Sequence, residues 1–268
     1  MSIKEAILKA SHILQNQKEA RILMSYHVGK DNLYLLLHDN EVLKDPKGYF
    51  NLIKRRSLNE PIEYITNSVS FYSREFFIKK GVLIPRPETE ILIDKTLKII
   101  QKFKNIKVAE IGVGSGVISI MLALLKKDIK IVATDISKEA IEVAKINAKR
   151  FKVEDKITFV KTSFLDTIKE DFDIIISNPP YISNYFEIEK NLTYEPKRAL
   201  FGGKIGDEIL KNIIDLAIKK RVKFLACEMG YDQLEPLKSY MIQKGVIKFE
   251  FYKDLSSHDR GFIATLRS

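Results

Sequence analysis

An α/β fold is predicted: a doubly wound, mainly parallel sheet with helices on both faces, preceded by a small N-terminal helical bundle. Three observations carry this. Apolar residues recur every three or four positions over residues 2–65; from residue 107 onward continuous apolar runs alternate with amphipathic stretches; and a glycine-rich turn separates the first such run from the helix after it.

The bundle begins with Ile3, Ile7, Ala10 and Leu14, whose spacing stacks them on one helical face. A second helix follows from Glu19. Pro46 suits the first turn of a later helix through Phe50, Leu52 and Ile53, where its missing N–H costs nothing. Val69, Phe71, Phe76, Ile78 and Val82 then form short β-prone runs broken at Ser73-Arg74 and Gly81, which predicts a linking hairpin. Beyond Pro85-Arg86-Pro87-Glu88-Thr89-Glu90 a helix is expected with Leu92, Ile93, Thr96, Leu97 and Ile100 inward, its early acids favoured by the helix dipole. Strands are predicted at Val108-Ala109-Glu110-Ile111, Lys130-Ile131-Val132-Ala133-Thr134, Ile157-Thr158-Phe159-Val160, and over 172–177 and 222–227. Helices are predicted from Gly116, from Lys138 and over 207–219. Apolar strands without alternation imply a sheet buried on both faces. The expected domains are a helical substrate-binding unit at 1–66, a linker hairpin at 67–85 and a catalytic α/β domain at 86–268.

Composition narrows the class. A chain of 268 residues holds one large domain and a small one, and 45% hydrophobic with 30% charged residues is the balance of a soluble globular protein. The net charge of +10 favours acidic partners such as nucleic acid, ribosomal particles or an acidic protein, without choosing among them. The lysines are spread, as in Lys126-Lys127 and Lys219-Lys220-Arg221, which reads as a solvated surface. Cys227 is the only cysteine, so neither an intrachain disulfide nor a cysteine-based metal cluster can form. No apolar run has the length to cross a bilayer and Met1-Ser2-Ile3-Lys4-Glu5 lacks a signal peptide's hydrophobic segment, so a cytoplasmic location is expected.

The glycine-rich turn is Glu110-Ile111-Gly112-Val113-Gly114-Ser115-Gly116, with Val117 where a dinucleotide-binding pattern would place its third glycine. Asp135, ending the second strand, can accept both ribose hydroxyl protons of an adenosine. Glu110 suits a cationic group, and the set points to S-adenosylmethionine as cofactor, hence a class I methyltransferase-like (Rossmann-like) sheet. Phe164 either stacks on adenine or belongs to the core. The most specific signal is Asn178-Pro179-Pro180-Tyr181 directly after an apolar strand, where ligands of such sheets bind. A conjugated NH2 group is a poor nucleophile because its lone pair is delocalised. The Asn178 side-chain oxygen and the Pro179 carbonyl can accept its two N–H hydrogens and turn the lone pair toward a methyl group, with the prolines fixing that carbonyl. Tyr181 is expected to wall the planar group. The four histidines, His12, His27, His38 and His258, are scattered and no metal is expected; alignment does the catalytic work.

With these motifs the chain resembles the HemK-type protein glutamine N5-methyltransferases. The resemblance spans nearly all of it: Glu19-Ala20-Arg21-Ile22-Leu23, Glu60-Pro61-Ile62-Glu63-Tyr64-Ile65, Leu83-Ile84-Pro85-Arg86-Pro87-Glu88-Thr89-Glu90, and Glu195-Pro196-Lys197-Arg198-Ala199-Leu200-Phe201-Gly202-Gly203 after Asn178-Pro179-Pro180-Tyr181-Ile182. It implies that the substrate is the glutamine of the Gly-Gly-Gln loop of class 1 peptide-chain release factors, bound through Asn178, Pro179, Pro180 and Tyr181. It also implies that Gly112 to Gly116, Asp135, Phe164 and Asn178 touch the cofactor and that the helical domain grips the factor. Two positions depart from the family pattern: Ser163 stands where an Asp is frequent, and Ile205 where an acid is usual. The alternatives are a ribosomal-protein glutamine methyltransferase and a DNA adenine-N6 methyltransferase, which would need base flipping and a sequence-reading domain for which the chain lacks room. A non-catalytic basic binding module is a third.

Overall fold

The structure, a computed structural model, describes residues 1–267. Two compact units emerge: Met1–Ser68 together with Glu189–Tyr194, and Val69–Ile188 together with Glu195–Ser268.

The smaller unit is helical: α1 (Ile3–Leu14), α2 (Gln17–Val28), α3 (Asn32–Leu37), α4 (Pro46–Ser57) and α5 (Ile62–Thr66). Side chains start the first four. Ser2 and Glu5 form a reciprocal capping box, Asn16 and Asp31 accept the amides of Glu19 and Tyr34, and Asp45 caps α4 with Pro46 in its first turn. Ile3, Ile7, Ala10, Leu23, Met24, Tyr49 and Ile53 make its core. The buried Tyr49 hydroxyl donates to the Ala20 carbonyl at 2.9 Å, and Arg56 grips Glu19 bidentately at 2.7 and 2.9 Å. The later 190–194 turn is part of this unit, Tyr194 donating to the Leu58 carbonyl at 2.9 Å.

The larger unit opens with the hairpin β1 (Ser68–Phe71) and β2 (Arg74–Phe77). Its two-residue turn, Tyr72 and Ser73, has φ of 53° and 56°, the left-handed pair that matches strand twist although neither residue is glycine. Next come α6 (Thr89–Ile100), β3 (Ile106–Ile111), α7 (Val117–Leu125), β4 (Ile129–Asp135), α8 (Lys138–Arg150), β5 (Ile157–Lys161) and β6 (Ile174–Ser177). After the short β7 (Ile182–Ser183) come α9 (Lys197–Leu200), β8 (Phe201–Gly203), α10 (Glu208–Lys219), β9 (Phe224–Glu228), α11 (Leu234–Gln243), β10 (Lys248–Lys253) and β11 (Asp259–Thr265). The inward set anticipated on α6 is buried in full.

Seven strands form one sheet in the order β10-β11-β9-β6-β3-β4-β5. Five run parallel; β11 enters antiparallel between β9 and β10, an addition not anticipated from the sequence. The chain steps outward from β3 through β4 to β5 and returns to β6 on the other side of β3. The carboxyl ends of β3 and β6 therefore part around a crevice, the place where such sheets bind ligands. Asn147 on α8 braces the loop beside it: its Oδ1 accepts the Phe77 amide at 2.8 Å, and its Nδ2 donates to the Phe77 and Ser115 carbonyls, both at 2.9 Å.

Candidate active site

At that crevice lies a cleft of about 190 Å³, lined by Gly112 and Gly114 after β3, Asp135 at the end of β4, Phe164 after β5 and Asn178, Pro179 and Pro180 after β6. A smaller cavity of about 40 Å³ shares Gly112, Gly114 and Asn178 with it and adds Glu110, Val113 and Ser115.

Gly112 and Gly114 are left-handed, with φ of 77° and 54°, and a Cβ on either would meet nothing within 4 Å. Bare backbone thus faces open space, as a closely approached ligand requires. Gly116 lines neither cavity. A Cβ there would lie 3.1 Å from the Ala144 Cβ, so this glycine lets α7 seat against α8 and shapes the loop.

Asp135 Oδ2 accepts the Gly114 amide at 3.0 Å and Oδ1 the Ser137 amide at 2.8 Å. Each oxygen keeps acceptor capacity for a hydroxyl. Burial is the largest influence on this carboxyl and raises its pKa, against the lowering effect of those amides.

Glu110 is 1% exposed. Its Oε2 accepts the Ser119 amide at 3.0 Å and the Ser119 hydroxyl, whereas the buried Oε1 has no hydrogen-bond partner among the described residues. Burial pushes its pKa up to about 8. An unpartnered buried acceptor at the wall of a cavity suits a ligand cation.

Phe164 lines the cleft and also packs on the core between the sheet and α10. Asn178 Nδ2 donates to Thr89 Oγ1 at 3.0 Å, and Thr89 Oγ1 donates to Glu228 Oε2 at 2.7 Å. Pro179 is buried. Tyr181 is not among the residues lining the cleft; its ring packs on the core and its hydroxyl donates to Glu228 Oε1 at 3.2 Å.

Several residues at the site escaped the sequence reading as site residues. Leu83 lines both cavities and Arg198 the larger one, where its guanidinium donates to the Ser137 hydroxyl at 2.8 Å. Thr89 and Arg198 lay inside stretches singled out for their pattern, which was their only signal; Glu228 had none. Two of those stretches touch: Glu195, 5% exposed, accepts the Ile84 amide at 2.9 Å and pairs with Arg86 at 2.5 Å. At the Ile205 departure, Glu208 folds back and accepts the Ile205 and Gly206 amides at 2.9 and 2.8 Å, supplying a carboxylate from α10 where residue 205 has none. Among the described residues no group of three His, Cys, Asp or Glu side chains is placed to hold a metal ion.

Comparison with known proteins agrees with this architecture. The family described as methyltransferase small domain matches residues 88–202, and the PrmC N-terminal domain matches residues 5–66. A release factor glutamine methyltransferase of Clostridium acetobutylicum is 34% identical, over 98% of this chain and 98% of that protein. One of Dictyoglomus turgidum is 40% identical, over 90% and 88%. A bifunctional methyltransferase of Rickettsia felis is 35% identical over 97% of this chain, which spans 57% of that longer protein. Among solved structures, the hMettl16 catalytic domain superposes with a TM-score of 0.60 at 19% identity, covering 72% of this chain and 76% of that one. At that identity the likeness is one of fold.

Proposed function

The chain belongs to the release factor glutamine methyltransferase family, and from that premise we propose that it transfers a methyl group from S-adenosylmethionine to the N5 amide nitrogen of the glutamine in the Gly-Gly-Gln motif of class 1 peptide-chain release factors. The observation that carries the reading is the placement of Asn178 and Pro179 on the wall of a cleft whose remaining walls suit an adenosine joined to a cation.

The residues fit that cofactor. Asp135 would take the ribose hydroxyls, Phe164 the adenine, the bare backbone of Gly112 and Gly114 the close approach, and the unpartnered Oε1 of Glu110 the α-ammonium. S-adenosylmethionine supplies a methyl group already activated on a sulfonium. What remains for the protein is to present the amide nitrogen with its lone pair available. The Asn178 Oδ1 and the Pro179 carbonyl accept the two amide N–H hydrogens, holding the nitrogen in line and favouring the charge that develops on it. Pro180 follows a residue whose own φ is fixed by its ring, so that carbonyl cannot swing away.

The helical unit is the proposed grip on the release factor, and the cytoplasm, where translation terminates, the proposed location. Among the described residues no helix is long and apolar enough to cross a membrane. The test is mass spectrometry of a release factor incubated with the protein and S-adenosylmethionine. A single methyl on the Gly-Gly-Gln glutamine is expected; label confined to a ribosomal protein or to DNA would overturn the reading.

A further inference from the structure

We propose that Thr89 and Glu228 form a relay that fixes which way the Asn178 side-chain amide faces, making Glu228 a positioning residue for methyl transfer. The inference rests on the role proposed above for Asn178. The three residues come from distant places: Thr89 opens α6, Glu228 closes β9, and Asn178 follows β6. Thr89 and Glu228 are 2% and 1% exposed, so no bulk solvent competes for their hydrogen bonds.

A threonine hydroxyl has one proton to give. Here it goes to Glu228 Oε2 at 2.7 Å, so Thr89 Oγ1 faces Asn178 purely as an acceptor, and Asn178 Nδ2 donates to it at 3.0 Å. Turning the amide over would set Asn178 Oδ1 against Oγ1, two acceptors in contact with no proton between them. The orientation that remains commits the NH2 group to Thr89 and frees Oδ1 to accept from a substrate amide. The other oxygen of Glu228 accepts the Tyr181 hydroxyl at 3.2 Å, so one carboxylate restrains both ends of Asn178-Pro179-Pro180-Tyr181.

The relay depends on the charge of Glu228. Around it stand Thr89 and Glu88 at the start of α6, Tyr181 after β6, Tyr252 on β10 and Arg260 on β11. Arg260 is itself gripped by Asp254 at 3.0 and 2.9 Å. Burial outweighs the lowering effects of Thr89, Arg260 and Tyr181 and lifts the carboxyl to about 7. Once protonated on Oε2, Glu228 can donate to Thr89, whose own proton is then free to turn toward Asn178. Both amide orientations become satisfied and the bias is lost, so turnover falls as pH drops through about 7.

The experiment measures kcat at saturating S-adenosylmethionine from pH 6 to 9 with release factor as substrate, alongside calorimetric binding of S-adenosylhomocysteine. It compares the wild-type chain, Thr89→Val, Thr89→Ser and Glu228→Gln. Thr89→Val keeps the shape but neither relay bond, and is expected to lower kcat by about 100-fold while cofactor binding changes by less than about 3-fold. Thr89→Ser retains the hydroxyl and is expected to recover kcat to within about 5-fold of wild type. Glu228→Gln carries an NH2 group that can donate to Thr89 as the protonated acid does, and it cannot titrate, so its kcat should be lowered at every pH and the acid limb near pH 7 should vanish. A Thr89→Val variant turning over like wild type, a serine no better than valine, or an acid limb unchanged in Glu228→Gln overturns the inference. Wild-type protein that leaves the release factor unmethylated overturns the functional reading first and the inference with it.

Discussion

Glu110→Gln isolates the cost of holding a carboxyl in a buried site awaiting a cation. Burial lifts this group from an ordinary 4.5 to about 8. Between those values the folded protein binds a proton that the unfolded chain releases, so Glu110 makes the cofactor-free protein less stable as pH rises, by about 1.4 kcal/mol per pH unit. The effect levels off above about pH 8, where the group ionises in both states, and amounts to about 3–5 kcal/mol over the whole window. Glutamine keeps the shape and an acceptor for Ser119 but does not titrate. Urea denaturation of the cofactor-free protein from pH 5 to 9 should show the variant gaining on wild type as pH rises, then holding a constant lead. The second arm is calorimetry: loss of a charge-assisted bond to the α-ammonium should weaken S-adenosylmethionine binding by about 10–100-fold. Parallel stability curves would refute the raised pKa of the buried carboxyl, and unchanged affinity in the variant would refute the assignment of Oε1 as the ammonium's acceptor.

Asn178→Ala is expected to cut kcat by about 100-fold or more while S-adenosylmethionine affinity falls less, because its oxygen is proposed to accept from the amide being methylated; turnover and calorimetry together check this. Asp135→Ala should weaken cofactor binding by about 10–100-fold, through loss of two ribose hydrogen bonds and of the acceptor that holds the Gly114 amide. Tyr181→Phe should cost about 1–2 kcal/mol in denaturant titrations, since it removes a donor to a buried carboxyl. Ser73→Gly should raise stability by about 0.5–1 kcal/mol by relieving a left-handed residue in the hairpin turn, read as a higher denaturation midpoint.

The parallel part of the sheet was legible because buried parallel strands are continuous apolar runs, as in Ile174-Ile175-Ile176, separated by helices of clear periodicity. The final hairpin was not. β10 reads Lys248-Phe249-Glu250-Phe251-Tyr252-Lys253, an alternation of charge and aromatic that marks a strand solvated on one face, and the pattern of the preceding strands gives no warning of a reversal in direction. At the site, residues that depend on local backbone, such as Gly112, Gly114 and the two prolines, announced themselves by spacing. Residues that act across the fold did not: Thr89 lies 89 positions from the amide it touches, and Glu228 is 139 positions from Thr89. Tyr181 shows the same limit, since its adjacency to Asn178 gave no sign that its hydroxyl reaches Glu228, 47 positions away.

The same β10 bears on how the protein behaves when concentrated. Being the outer strand of the seven, it carries on its open side a row of backbone donors and acceptors with no further strand beside it among the described residues, which is a template for joining sheets of separate molecules. Lys248, Glu250 and Lys253 are exposed along it, and Glu250 is held there by Lys95 at 2.5 Å. Docking a second sheet would strip water from those charges. The residues that hid this strand from a reading of apolar runs are the ones that keep it from recruiting its own kind.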